Sequence, residues 1–151
     1  RAQIRAARET LEQSADLPES WRAHLEAELA QQHWELVYGG FVSGALEASV
    51  LDAASGHAER GFRLGARGDA AVLRARIALR QGQPHVAWLW LHAAEEAGVA
   101  AQACAPLRAE VAYVERDFAA VARCLSTASP AQLRRPGLHA VVDFWNGEAA
   151  S

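Results

Sequence analysis

Arg76 and Arg80 stand four residues apart in the run LRARIALR. On a helix that spacing puts both guanidinium groups on one face. Two such groups can grip a carboxylate or phosphate through paired N–H donors. They can equally be held by acids of the chain, Glu110 and Glu115 among them, or stand in water. No other pair of charged residues in the sequence has so direct a binding chemistry.

The remaining reactive residue types lack a working arrangement. His24 shares a helix face with Glu28, and His92 with Glu95 or Glu96, but neither pair makes the HExxH or ExxH pattern that a metal needs. His33, beside Trp34, and His57 read as helix-end or interface residues. Cys104 and Cys124 lie in the Ala-rich runs AQACAPL and VARCLST without CxxC spacing, so they read as buried thiols. There is no GxSxG elbow, and GFRLGARGD lacks the Lys-Ser/Thr ending of a phosphate loop. We therefore expect no catalytic residue, no metal and no cofactor.

The composition points to helices. Hydrophobic residues make up 51% of 151 residues, much of it Ala, the strongest helix former. All 15 basic residues are Arg, spread along a chain of net charge −3. No basic footprint for nucleic acid is present, and Arg134-Arg135 is only a pair. No signal peptide and no membrane-spanning apolar run are seen, so a cytoplasmic setting is expected. The first residue is Arg rather than Met, which suits a domain cut from a longer protein.

The elements that must position the arginines follow from periodicity. Residues 2–13 read as a first helix, with Ile4, Ala7 and Leu11 on one face. Asp16 and Glu19 have capping-box spacing ahead of a second helix. Its stripe of Leu17, Trp21, Leu25 and Leu29 continues to Leu36, and YGG ends it. A third helix is expected from Phe41 to Ala54, broken at Ser55-Gly56. Asp69 caps a fourth helix that ends near Arg80, and Pro84 opens a fifth that closes at Gly98. A sixth runs from about Ala100 to Arg116, kinked or started at Pro106, and Asp117 begins a seventh. A last helix over about 137–146 carries Leu138, Val142 and Trp145. No strand alternation occurs.

One internal offset stands out. LRARIALRQGQPHVAWLWLHAA lies over LRAEVAYVERDFAAVARCLSTA at a spacing of 34 residues. Leu73 meets Leu107, Arg74 meets Arg108, Ala75 meets Ala109 and Ala78 meets Ala112. Ala87 meets Val121, Leu91 meets Leu125 and Ala94 meets Ala128. These two units, at about 67–98 and 101–130, resemble tetratricopeptide repeats, whose small residues recur where the two helices of a unit cross. Gly82 suits the turn between them; Arg116 departs from the pattern there. Residues 1–38 and 41–66 read as two irregular helix pairs.

The resemblance implies an all-α fold: antiparallel helix pairs stacked as a short right-handed α-solenoid, one domain over 1–151. It also implies a concave surface lined by the first helix of each unit: Val72, Arg76, Leu79 and Arg80, then Glu110, Tyr113 and Val114. Trp88 and Trp90 flank the buried face of their helix and are expected to pack on neighbouring units; Trp88 is also a candidate partner contact. The expected role is a non-catalytic scaffold for protein–protein interaction, holding an acidic peptide segment or C-terminus. Similar repeats serve as modules of larger bacterial regulators. The alternatives are a small-molecule sensor and a self-association domain, where Phe144 and Trp145 cap the last unit or form a homodimer.

Overall fold

A computed structural model describes residues 2–13 and 17–127. Among them are seven helices and no strand: α1 (Ala2–Gln13), α2 (Glu19–Tyr38), α3 (Ala45–Leu64), α4 (Arg67–Arg80), α5 (Pro84–Glu96), α6 (Ala101–Val114) and α7 (Phe118–Thr127). Helices α2 and α3, α4 and α5, and α6 and α7 pack as pairs, with α3 against α4 and α5 against α6 joining them. α2, α4 and α6 also meet along one side. None of these helices is long and apolar enough to cross a membrane. The expected helix over 137–146, with Phe144 and Trp145, lies outside the described residues, as do Asp16 and Ala128.

Small side chains set how closely the pairs approach. Ala71, Ala75, Ala78, Ala87 and Ala94 are fully enclosed between α4 and α5, with Leu91 filling the space that the alanines leave. In the α2–α3 pair, Gly61 faces backbone directly. A Cβ placed there would come within 3.3 Å of the Ala27 nitrogen and 3.5 Å of the Ala23 carbonyl oxygen. Any larger residue would therefore push the two helices apart.

The structure corrects the sequence reading in three places. The third helix does not break at Ser55-Gly56 but runs unbroken from Ala45 to Leu64, so residues 41–66 do not form a compressed pair. Gly inside a helix costs about 1 kcal/mol against Ala. Here Leu51, Ala54, Ala58 and Gly61 bury one continuous face and offset that cost. Second, the inward face of α2 is Ala23, Glu26, Ala30, His33 and Val37, with Leu29, and not the Trp21–Leu25 stripe. Trp21 is exposed. Small residues win because α3 comes too close for an indole. Third, Asp69 does not cap α4. That helix starts at Arg67 after Ala66, with no side-chain cap, and Asp69 lies in its first turn. There its charge still complements the helix dipole. Asp117 does cap α7, accepting the Ala120 N–H at 3.1 Å. Pro106 is buried inside α6, five residues past its start.

The same pair of hydrogen bonds closes each helix from α2 to α6, α4 and α6 included. Gly82 N–H donates to the Leu79 carbonyl at 3.1 Å, and Arg116 N–H to the Tyr113 carbonyl at 3.0 Å. Gln83 to Ala78 and Asp117 to Ala112 repeat at 2.9 Å each. Both turns need a left-handed residue, with φ of 76° at Gly82 and 61° at Arg116. An L residue with a side chain is strained in that conformation, by about 1–2 kcal/mol. Arg116→Gly is accordingly expected to stabilise the fold by about 1 kcal/mol. A thermal melt checks this; an unchanged or lowered Tm would count against it.

Candidate functional site

Four of the predicted residues come together. Arg76, Leu79 and Arg80 on α4 and Glu110 on α6 line a groove with Leu107 and with Gln31, Trp34, Glu35 and Tyr38 of α2. Its volume is about 510 Å³. Residues 31, 34, 35 and 38 recur at three and four, so one face of α2 supplies a whole wall. On that wall the Trp34 and Tyr38 rings stack at 5.8 Å. A second compartment of about 480 Å³ continues the groove, sharing Gln31 and Arg76 with the first. His24, Glu28, Asp69, Val72 and Val99 are among its walls.

Arg80 is not a freely available anion clamp. Its Nε donates to Glu47 Oε1 of α3 at 2.6 Å. The partner is an acid on the preceding helix, 33 residues away in sequence. The groove's shape depends on α2 crossing beside α4, which no spacing within α4 could reveal.

Trp88 and Tyr113 lie outside this groove. The guanidinium of Arg108 sits over the Trp88 ring, 4.7 Å from its centroid. Arg108 also donates to Glu95, from Nη2 at 2.6 Å and Nε at 3.0 Å. On α4, Arg74 bonds Glu59 at 3.0 Å and lies 5.7 Å from the Trp90 centroid. Trp90 in turn meets Phe62 edge to face at 5.3 Å. The two indoles thus face opposite ways, Trp90 towards α3 and α4 and Trp88, itself exposed, towards α6. Tyr113 packs on the α6–α7 cluster and meets Phe118 at 6.5 Å.

No protein-family model, no curated protein and no solved structure matches the chain.

A buried charged cluster escaped the sequence reading. Glu26 is buried on α2; its carboxylate pairs with His57 Nδ1 at 2.5 Å and with Arg60 Nε at 3.2 Å, both on α3. Burial alone would raise the Glu26 carboxyl. The His57 hydrogen bond and the Arg60 charge together outweigh burial and hold it below its ordinary value. His33, also buried, donates from Nδ1 to the Leu29 carbonyl at 2.7 Å and lies 5.3 Å from the His57 ring. Burial lowers the His33 pKa, with the charges of His57 and Arg8 adding to it. A helical sequence carries one clue: Glu26 and His33 interrupt the otherwise small, apolar stripe of Ala23, Ala30 and Val37. The cluster ties α2 to α3 and does not open into the groove. Among the described residues no group of three His, Cys, Asp or Glu side chains could hold a metal ion.

Cys104 is buried and Cys124 half-buried, and neither is in a disulfide. Burial pushes both thiols up, away from the reactive thiolate.

Proposed function

We propose that this chain is a non-catalytic helical-repeat scaffold of tetratricopeptide-like design, whose α2–α4–α6 groove docks an extended segment of another protein. The observation that carries the reading is the groove itself. Three helices from three successive pairs contribute to it, and it joins apolar walls to a few polar groups, as peptide and ligand sites do. The 34-residue sequence offset and the packing of α2–α3, α4–α5 and α6–α7 as successive pairs support the repeat reading. Such a module suits a larger regulator, where it would recruit a partner rather than react with one.

The test is selection of a displayed peptide library on the folded protein, followed by Tyr38→Ala/Arg76→Ala. Enriched peptides are expected to bind the wild type and to lose at least about tenfold in affinity for the variant, about 1.4 kcal/mol. Equal binding to both proteins would move the site elsewhere, and no enrichment would overturn the reading. A small-molecule sensor is the second reading, favoured by the stacked Trp34–Tyr38 wall beside a cavity of drug-like volume. It predicts tryptophan quenching by metabolites, absent in Trp34→Phe, without any response to peptides.

A further inference from the structure

We infer that the partner segment is basic rather than acidic: an extended stretch with Arg or Lys side chains three residues apart, laid along α2. The inference rests on the proposed docking role of the groove and names the chemistry of its occupant.

Charge decides the sign. Arg80 is held by Glu47, and Arg76 lines both compartments. Against these two cations stand the exposed carboxylates of Glu28, Glu35 and Asp69. Glu35 accepts a hydrogen bond from the Gln31 amide at 3.1 Å, and Glu28 from the Gln32 amide at 2.8 Å. Both donors are neutral, so neither carboxylate loses its charge to them. An acidic segment would meet these groups as like charges; a basic one would meet complementary charges.

Spacing decides the form. The groove follows α2 from His24 to Tyr38, about 20 Å at 1.5 Å per residue. Glu28 and Glu35 are two helical turns apart on one face, about 10 Å. A polyproline II segment repeats its faces every third residue, at about 9 Å. A flat strand puts residues three apart on opposite faces. A left-handed extended segment with basic residues three apart therefore reaches both carboxylates from one side. Beyond Glu35, the stacked Trp34 and Tyr38 rings present π faces on which a further cation or an apolar side chain can rest.

The probe is a fluorescein-labelled peptide of about six residues, with arginines three apart separated by Ala-Pro, read by fluorescence anisotropy. Its twin carries glutamates at the same places. The basic peptide is expected to bind, more weakly as salt rises, and Glu28→Gln/Glu35→Gln to weaken it about tenfold or more. Circular dichroism checks that this variant is folded. Glu115→Gln, just past the C-terminal end of α6 and outside the groove lining, is expected to leave binding unchanged. Tighter binding of the glutamate twin, lost in Arg76→Gln, would overturn the basic partner and keep the groove as a docking site. If neither charged peptide binds while the library yields neutral ligands, this inference falls and the scaffold reading stands. If the library also yields none, both fall.

Discussion

Leu91→Ala is expected to lower stability by about 3 kcal/mol without abolishing helical structure. Leu91 is fully buried at the centre of α5, among Ala75, Ala78, Ala87, Leu107 and Val111. Its neighbours across the α4–α5 seam are mostly alanines, too short to move into the space that truncation leaves. Cavities that cannot collapse lie towards the costly end of the roughly 2–5 kcal/mol range for such truncations. The comparison is Leu89→Ala, two residues away on the same helix and 57% exposed. That change is expected to stay within about 0.5 kcal/mol. Urea unfolding of the two variants checks the contrast. Similar midpoints would mean that α5 does not present the face assigned to it.

The second large effect is loss of stability in acid, in two stages, through the α2–α3 seam. His33 is held below its ordinary value of 6.5 in the fold, first by burial. The unfolded chain therefore takes up this proton first, and stability falls as pH drops below about 6.5 towards the lowered folded value. Glu26 is also lowered, from 4.5. Its contribution is complete above 4.5 and is lost as pH falls through its folded value. Both groups act in the same direction, so stability rises with pH across both windows. His33→Asn is expected to remove the upper stage and leave the lower one. Glu26→Gln is expected to cost about 2 kcal/mol at neutral pH, because it weakens charge-assisted hydrogen bonds to His57 and Arg60, and to flatten the lower stage. Denaturant midpoints measured across the pH range check this. A wild-type midpoint that does not fall between neutral and mildly acid pH would contradict the first stage.

The two effects also mark how far the sequence could be read. Leu91 was placed on the buried face of its helix by the 34-residue offset, because a repeated pattern averages out the noise of any single helix. The same offset found Arg74 and Arg108, which turn out to share one role, each joining an acid of the preceding helix to an indole. Glu26 and His33 were missed because burial of a charged residue contradicts the ordinary hydrophobic pattern. Glu26 is made tolerable there by partners 31 and 34 residues away on α3, and His33 by the Leu29 carbonyl of its own helix. Trp21 misled for the opposite reason: a large apolar residue at helical spacing looks like core, yet Ala23, Ala27 and Gly61 bring α2 and α3 close at that end and the indole stays exposed.

Helix content, helix order and the buried α4–α5 and α6–α7 faces follow from the sequence itself, since propensity, turn residues and periodicity are local properties that accumulate along each segment. The grouping of Arg76, Leu79, Arg80 and Glu110 was legible in part: the offset sets Glu110 opposite Arg76, but Tyr113, the counterpart of Leu79, lies outside the groove. The other half of the groove was not. Gln31, Trp34, Glu35 and Tyr38 belong to a helix that the 34-residue offset does not cover, and they join the site only through the packing of α2 across α4. The capture of Arg80 by Glu47 is of the same kind. Contacts between distant segments depend on how closely whole helices approach, and that distance is set by side-chain volumes on both surfaces at once.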